Sequence, residues 1–414
     1  MRSATLGACL AAITLTLSPA KAGVVADHGR LQTKGNQIVD KNGEPFQVAG
    51  MSLYWSVWGG QNYYNRSVID TINSSWNATV VRAAAAVFIN QATDKGFIWD
   101  SAGLVAKVKT VVDAAIANDI YVIIDWHADT GVNKAWQRSA NFFSLMAQTY
   151  GDKPNVIFEL WNEPTTVKWD TVKNYALRVL PSIRQYSQNL VVVGTPTWSQ
   201  DVDLASQNPI TDTNVAYTLH FYACSHGHNL IKKANTARTN GVPLFITEFG
   251  LSPSDGGSVS KGNYKICTDS ATFWLDWADS NKISWANWSL SNKGESSAAL
   301  DSTNKNYAGN WPDNTLSASG KWIKARLLAR GSQASGILPA GVHDKRWSVI
   351  RTSGSEVRIQ LPTGTSQASL LDIQGRGIVH SADEVLTAGN LRRGVHTVRW
   401  KDAVGWHSGS FVLP

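Results

Sequence analysis

The segment Val156–Pro164, with the sequence VIFELWNEP, gives the strongest indication of the fold of this chain. Its apolar and β-branched residues are typical of a fully buried strand, because the run is too short for a core helix and is closed by a proline. The strand leads to Glu163, and a buried carboxylate costs free energy unless it has partners or a chemical role. The same pattern recurs in PLFITEFG at Pro243–Gly250, where a second buried strand leads to Glu248. We therefore expect two glutamates at the C-terminal ends of two buried strands.

Further apolar runs precede and follow these strands, and they alternate with helical patterns. The runs predict strands over Phe46–Leu53, Ala78–Ala84, Ile120–Trp126, Val156–Leu160, Leu190–Gly194, Val215–Tyr222, Leu244–Thr247 and Ile283–Trp288. The patterns between and after them predict helices over Ser67–Asn73, Ala102–Asn118, Ser139–Tyr150, Trp169–Tyr186, Asn229–Asn240, Ala271–Ser280 and Lys321–Arg330. Strands that alternate with helices pair in parallel, and eight of them predict an α/β fold, the (β/α)8 TIM barrel. In this fold the chemistry lies at the C-terminal ends of the strands.

The two ends of the chain differ from the barrel pattern. A charged head, the apolar run Leu6–Leu17 and the small residues Ala20–Ala22 predict a secretory signal peptide cleaved near Ala22, and hence a secreted protein. Gly331–Gly341 is rich in Gly, Ser, Ala and Pro, which is typical of a linker. Short alternating runs after it predict a small all-β domain, a sandwich. We therefore divide the chain into a signal peptide (1–22), a catalytic barrel (23–330), a linker (331–341) and a β-sandwich (342–414).

Composition limits the classes of partner. The chain has 414 residues, 43% of them hydrophobic and 17% charged, as in a globular protein. The net charge is +7, but no basic run is longer than Arg392–Arg393, so we predict no nucleic-acid partner. No apolar run is long enough to cross a membrane, and we predict a monomer. The 18 tryptophans suit a protein that stacks flat rings on sugars.

Three cysteines are present, and Cys9 would leave with the signal peptide. Export permits a disulfide between the remaining Cys224 and Cys267, which we predict; two free thiols are the alternative. Cys224 also lies close in sequence to His226 and His228, which suggests a metal site. Their spacing matches no established zinc pattern, so we predict no metal.

The paired glutamates are the groups that hydrolysis of a glycosidic bond requires. One carboxyl protonates the leaving oxygen and the other attacks the anomeric carbon or activates water. We assign Glu163 as the acid/base and Glu248 as the nucleophile, with no cofactor. Burial and the second carboxylate favour protonation of one of them near neutral pH. The alternative for Glu163 is a structural role in which it pairs with Arg82. A Ser-His-Asp hydrolase would need a G-x-S-x-G elbow, and the sequence contains none.

Polar side chains at other strand ends are predicted to support this pair. Arg82 ends the second strand, where a charged hydrogen bond would hold Glu248 ionised. His220 and Tyr222 lie two residues apart on one face of the sixth strand. We predict that Tyr222 donates to the nucleophile and that His220 contacts the acid/base or the substrate.

Other candidates lie nearer to the substrate. Asn162 could donate to a sugar 2-hydroxyl; His127 ends the third strand, and Trp288 ends the eighth, where its ring could support the cleaved sugar. Three tryptophans in rim loops suit sugar stacking and plain packing about equally: Trp55, Trp58 and Trp198. Lys293 and Glu295 could bind sugar hydroxyls or form a solvated ion pair.

In register, these residues resemble glycoside hydrolase family 5. The matching motifs are VVRAA, IDWH, WNEP, LHFY, TEFG and ANW, and the resemblance covers Leu31–Arg330. GMSLYWSVWGG, GDKPNV, GTPTWSQDVD and the loop with Lys293 and Glu295 are similar to bacterial endo-β-1,4-glucanases of that family. Many members carry His where this chain has Tyr54, and an aromatic residue where it has Ala86.

The resemblance implies a retaining double displacement on β-1,4-glucans, namely cellulose, carboxymethylcellulose and cello-oligosaccharides. It also implies that Trp58, Trp198, Lys293 and Glu295 contact glucose units. A mannanase, a xyloglucanase and a non-catalytic carbohydrate-binding protein are the alternatives, because related barrels share a site and their loops select the sugar. The C-terminal domain lies outside the resemblance, and we consider carbohydrate binding and a sorting or structural role for it.

Overall fold

A computed structural model gives the structure of the chain. It describes residues 23–335 and, beyond them, residues 348–351, 357–361, 365–372, 376–389, 391, 394–401 and 406–413. The chain divides into two compact units, Met1–Ala334 and Ser335–Pro414. The predicted signal peptide, 1–22, and linker residues 336–341 lie outside the described residues.

Eight parallel strands close into a barrel in the first unit. They are β1 Ala49–Leu53, β2 Val80–Ala86, β3 Tyr121–His127, β4 Val156–Glu159, β5 Val191–Val193, β6 Val215–Tyr222, β7 Leu244–Gly250 and β8 Ser284–Leu290. They pair in sequence order, and β8 returns to β1. Every strand residue is buried, which explains why the sequence shows near-continuous apolar runs instead of alternation. The predicted (β/α)8 barrel is confirmed.

Helices alternate with these strands. They span Val24–His28, Arg66–Ser74, Ser101–Ala117, Trp136–Tyr150, Trp169–Arg184, Pro196–Ser199, Val202–Gln207, His228–Thr239, Thr268–Ser280 and Ala318–Ser335. The two short helices after β5 have no counterpart in the prediction. The last helix continues to Ser335, so residues 331–335, predicted to begin the linker, are helical. None of the helices among the described residues is long and apolar enough to cross a membrane.

Side chains in the strands divide between two environments. On β2, Val81, Ala83 and Ala85 belong to the core between barrel and helices, whereas Val80 belongs to a second core. That second core includes Val25, Leu31 and Ile38 from the N-terminal segment, where Gln32–Lys34 and Gln37–Val39 pair as an antiparallel hairpin. Apolar packing therefore fills one end of the barrel interior, and polar residues are left for the other end.

Two predicted strand ends need correction. β7 runs to Gly250 and not to Thr247, so Glu248 lies inside the strand. β4 ends at Glu159, so Glu163 lies in the segment that follows it. That segment still pairs irregularly with the end of β3, because the backbone N–H of Glu163 donates to the carbonyl of Ala128 over 3.3 Å.

After Ser335, the described elements of the second unit are all β-strands, as predicted. Ser348–Arg351, Val357–Gln360 and Val385–Ala388 form one antiparallel sheet. A second antiparallel sheet contains Gly377–Ser381, Gln367–Leu371, Gly394–Lys401 and Trp406–Leu413. Residues from both sheets form the buried core of the unit, which includes Ile359, Leu370, Leu386, Val398 and Trp400.

Candidate active site

The C-terminal ends of the barrel strands surround a cavity of about 230 Å³. Its lining comes from the strand ends and from the loops after them. The lining residues are Tyr54, Trp55, His127, Asp129, Asn162, Glu163, Tyr222, Glu248, Ser254, Asp255, Gly256, Trp288 and Glu295. Both predicted catalytic glutamates are among them, although they lie 85 residues apart in the chain.

The two glutamates face each other across this cavity. One carboxylate oxygen of Glu163, one of Glu248 and a ring nitrogen of His220 all lie within 4.8 Å of one another. The Glu163 side chain is 15% exposed and that of Glu248 is 6% exposed, so both are reachable and largely desolvated. These three residues are also the group among the described residues with the spacing of a metal site.

Two donors hold the carboxylate of Glu248. Tyr222 donates its hydroxyl to Oε1 over 2.6 Å, and Arg82 donates from Nη1 to Oε2 over 3.0 Å. Burial raises the pKa of Glu248, while the Arg82 charge and the Tyr222 hydrogen bond act in the opposite direction. Both donors favour the ionised form, which is the form a nucleophile needs.

Arg82 is fully buried and contacts more groups than the sequence suggested. Its Nε donates to Glu159 over 2.7 Å, and its Nη2 lies 3.0 Å from Asp125 and 2.7 Å from Asn162 Oδ1. Burial opposes the charge of Arg82, but the neighbouring carboxylates outweigh it and raise the pKa of the guanidinium. The described partners of Arg82 do not include Glu163, so the alternative of an Arg82–Glu163 pair is not what the structure shows.

A bulge in β7 shapes the site. The pairing partners are Thr218 with Phe245 and then His220 with Glu248, so β7 contains one extra residue over this interval. A bulge of this kind re-aims side chains from regular alternation. As a result, both Thr247 and Glu248 direct polar atoms into the barrel, although they are consecutive in sequence.

Glu163 is held by His220. Nδ1 of the ring lies 2.8 Å from Glu163 Oε1, and Nε2 lies 2.9 Å from the hydroxyl of Thr247. Burial and then the facing charge of Glu248 raise the pKa of Glu163 well above its usual value. Burial lowers the pKa of His220 well below its usual value. The environment therefore favours a protonated Glu163 beside a neutral imidazole.

His127 and Trp288 form the aromatic part of the cavity. Their rings stack with centroids 5.1 Å apart, and Trp288 also contacts Tyr54 at 5.4 Å. Nδ1 of His127 lies 2.6 Å from Asp125, and burial together with Arg82 lowers the pKa of His127 to about 4. Trp288 also lines the cavity.

The two rim tryptophans Trp198 and Trp58, which were predicted to contact substrate, have different surroundings. Trp198 is 49% exposed in a left-handed turn, with φ 55°, and its backbone N–H donates to the carbonyl of Pro164, next to Glu163. Trp58 packs on Trp55 at 5.3 Å, and its Nε1 donates to Gln91 over 2.8 Å.

Lys293 and Glu295 also occupy distinct positions. Glu295 lines the cavity, whereas Lys293 places its Nζ 5.2 Å from the centre of the Tyr54 ring. No described side-chain hydrogen bond joins Lys293 to Glu295 within the ranges that the structure describes.

Several site residues were not predicted. Asp125, Glu159 and Thr247 contact the predicted residues, and Tyr54, Asp129 and Asp255 line the cavity. A signal for the first two was present, since each is an acidic residue inside an otherwise apolar strand. Asp255 lies in a polar loop with no comparable signal.

The predicted cysteine pair is close in space. Cys224 and Cys267 form a disulfide, with Cα atoms 5.2 Å apart and a sequence separation of 43. Cys224 is therefore no thiolate ligand, and Nδ1 of His226 accepts from the backbone N–H of Tyr222 over 2.8 Å.

Comparison with known proteins identifies the family of this chain. The family model described as Cellulase (glycosyl hydrolase family 5) matches residues 39–294. Endoglucanase Z of Dickeya dadantii is 42% identical over 315 residues, which is 74% of this chain and 68% of that protein. An endoglucanase of Clostridium saccharobutylicum is 36% identical and covers 81% of this chain and 74% of its own length.

A solved structure is similar too. It is a variant of the catalytic domain of Thermobifida fusca endoglucanase Cel5A in complex with cellotetraose. It superposes with a TM-score of 0.68 at 30% identity, covering 73% of this chain and 99% of that one.

Proposed function

The chain belongs to glycosyl hydrolase family 5, and we propose that it is a secreted endo-1,4-β-glucanase that cleaves internal bonds of cellulose with retention of configuration. The observation that carries the proposal is the pair of facing carboxylates, with oxygens of Glu163 and Glu248 within 4.8 Å. Retaining glycosidases place their two carboxyl groups about 5–5.5 Å apart, whereas inverting ones need about 6.5–9.5 Å to admit water. The spacing supports double displacement.

The site's residues divide the reaction between them. Hydrogen bonds from Arg82 and Tyr222 stabilise the ionised form of Glu248. Glu248 attacks the anomeric carbon while Glu163 passes its proton to the leaving glycosidic oxygen. A covalent glycosyl-enzyme forms, and the leaving chain departs. Glu163, now a carboxylate, takes a proton from water, whose oxygen attacks the anomeric carbon and releases Glu248. Asn162 is held between Arg82 and Asp129, and we assign it as the donor to the 2-hydroxyl of the reacting sugar.

The substrate class is proposed from the relatives and from the rim. The named relatives are endoglucanases, and the similar solved structure holds cellotetraose. Trp198 is exposed beside the acid/base, and Trp58 packs with Trp55 at the cavity. Flat aromatic faces suit the apolar faces of glucose rings. We therefore assign β-1,4-glucan chains, including carboxymethylcellulose and cello-oligosaccharides, as substrates.

Secretion and the domain limits are part of the proposal. The N-terminal 22 residues have the pattern of a signal peptide, and a disulfide suits an exported protein. For the second unit we propose a sorting or structural role. Trp400, one of its tryptophans, is 5% exposed and packs in the core, so it offers no open face to a sugar.

Product analysis tests the proposal. Purified enzyme should release reducing sugar from carboxymethylcellulose faster than from mannan or xyloglucan. Proton NMR of cello-oligosaccharide digests should show the β-anomer first. Faster hydrolysis of mannan or xyloglucan would replace the substrate assignment. An α-anomer as first product would refute double displacement. Absence of hydrolysis, with binding intact, would favour a carbohydrate-binding protein.

A further inference from the structure

A hydrogen-bonded chain joins the two catalytic glutamates behind the cavity. It runs from Glu248 through Arg82 to Glu159, and its first two contacts are 3.0 and 2.7 Å. It continues from Glu159 through Thr247 and His220 to Glu163, with contacts of 2.6, 2.9 and 2.8 Å. Glu159, Thr247 and His220 are each no more than 1% exposed, so water does not compete for these bonds.

Counting protons along this chain fixes its direction. Arg82 Nε is a donor only, so Glu159 Oε2 accepts from it. Burial raises the pKa of Glu159 to about 7, and the charge of Arg82 opposes that rise. While Arg82 holds Glu159 ionised, its Oε1 can only accept, so it takes the hydroxyl proton of Thr247 over 2.6 Å. A hydroxyl has one proton, and that of Thr247 is already given to Glu159. Its oxygen therefore accepts from His220 Nε2, which must carry a hydrogen.

We propose that Glu159, acting through Thr247, is a positioning residue that keeps the hydrogen of the His220 ring on Nε2 and so leaves Nδ1 to accept from protonated Glu163. The reversed direction would place the hydrogen on Nδ1, which would then donate to Glu163 and stabilise its carboxylate. A carboxylate cannot protonate the leaving oxygen. The Thr247 hydroxyl is two hydrogen bonds away from Glu163, and its orientation therefore determines whether Glu163 keeps its proton. The inference rests on the proposed function, because it takes Glu163 to be the acid/base.

Other charged groups also act on this pair. Those facing Glu163 and His220 come from four strands and the segments after them: Arg82 from β2, Asp125, His127 and Asp129 from β3, Tyr222 from β6 and Glu248 from β7. None of these groups contacts Nε2 of His220 in the described part of the chain. The hydrogen-bond partner of Nε2 is Thr247. Their charges shift the proton equilibrium, whereas the tautomer depends on the two groups in contact with the ring nitrogens, Thr247 at Nε2 and Glu163 at Nδ1.

Nitrogen NMR of the intact, uniformly ¹⁵N-labelled protein tests this directly. Long-range ¹H–¹⁵N correlation distinguishes a protonated from an unprotonated ring nitrogen, and a His220→Asn sample assigns the signal among the nine histidines. On the acid side of the upper pH limb of activity, we expect a proton on Nε2 and none on Nδ1. A proton on Nδ1, alone or with one on Nε2, overturns the inference without any need for turnover. Inactivity of the wild-type enzyme on every β-1,4-glucan would instead refute the proposed function.

Variants then separate a proton-directing role from a structural one. Thr247→Val removes the acceptor without changing charge, so the Nδ1-protonated tautomer becomes competitive. The upper limb of kcat/KM should move down by about one pH unit, because a hydrogen bond to the charged form lowers a carboxyl pKa. Thr247→Ser retains the hydroxyl and should restore the wild-type limb. A lower kcat in Thr247→Val with the limb unmoved would show a structural role only.

Glu159→Gln provides a second route. Arg82 Nε needs an acceptor, so the amide oxygen of the new side chain must face it, and the NH₂ group must face Thr247. The hydroxyl then turns to donate to His220 Nε2, and the NMR signal of the ring should show a proton on Nδ1. Retention of the Nε2 proton in this variant would overturn the inference, even if Thr247→Val does not fold.

Discussion

The hydroxyl of Tyr222 lies 2.6 Å from Oε1 of Glu248, and the two residues reach each other from neighbouring barrel strands. The other oxygen of the same carboxylate accepts from Arg82. The proposed nucleophile is thus held at both oxygens, and the same two donors orient its carboxylate and favour its ionised form.

Removing the hydroxyl should change the acid side of the activity profile. In Tyr222→Phe the ionised form of Glu248 loses a donor, so the pKa of this carboxyl rises further. The lower limb of kcat/KM should then move to higher pH, with kcat reduced about 10- to 100-fold. Tyr63→Phe is the matched control, because the hydroxyl of Tyr63 is buried with no hydrogen-bond partner among the described residues. An unmoved limb in Tyr222→Phe would contradict this assignment.

Glu248→Ala should remove turnover and leave binding. Without the nucleophile no glycosyl-enzyme forms, and we expect kcat on carboxymethylcellulose to fall about 10⁴-fold or more. Calorimetry should still detect binding of cello-oligosaccharide to the variant, because the rim residues and Trp288 remain. A variant that keeps most of its activity would refute the assignment of Glu248.

Glu163→Gln should affect substrates according to their leaving group. Cellulose needs the proton from Glu163 for its leaving oxygen, whereas the dinitrophenolate of a dinitrophenyl cellobioside leaves without a proton as the cellobiosyl group bonds to Glu248. We expect the glycosylation rate for the activated substrate, measured as a pre-steady-state burst, to stay near that of the wild-type enzyme, while cellulose hydrolysis is nearly lost. Because the pKa of Glu163 is raised, its acid form persists well above the usual range and is lost as pH rises through that pKa. Hydrolysis of cellulose by the wild-type enzyme should therefore decline as Glu163 loses its proton, whereas the burst rate with the activated substrate should show no such upper limb. An equal upper limb in the burst-rate profile would assign the limb to another group.

Arg82→Met tests the buried cation. It would leave Asp125, Glu159 and Glu248 without their shared counter-charge, and breaking a buried ion pair costs about 3–5 kcal/mol. Urea unfolding should show a loss of this size. Arg66→Met is the control, since the Arg66 side chain is 68% exposed and its pair with Asp70 should contribute less than about 0.5 kcal/mol. Similar losses in the two variants would show that the cluster does not depend on Arg82.

The second unit should not increase binding to insoluble cellulose. We expect Glu248→Ala protein with the full chain and the same protein ending at Ser335 to sediment equally with cellulose, because Trp400 is buried in the core. Clearly stronger sedimentation of the full chain would favour a carbohydrate-binding role for this unit.

Local sequence was sufficient for the barrel and for most of the cavity. Apolar runs that alternate with helical patterns identify parallel strands, and a polar residue at the end of such a run points to the catalytic face. Arg82, Glu163, Tyr222, Glu248 and Trp288 all follow from this reasoning, and the structure brings them together. The limits of β4 and β7 did not follow, since strand ends depend on pairing with neighbours.

The sequence alone was sufficient for the fold and for the candidates for the reacting groups, because short-range patterns of apolar and charged residues indicate both. Only the tertiary structure decided how those groups are connected. Arg82 reaches Glu159 and Glu248 across 77 and 166 residues of chain. The extra residue in β7 directs both Thr247 and Glu248 inward, against the alternation that a regular strand imposes. Such contacts arise from barrel closure and strand register, which no local pattern specifies.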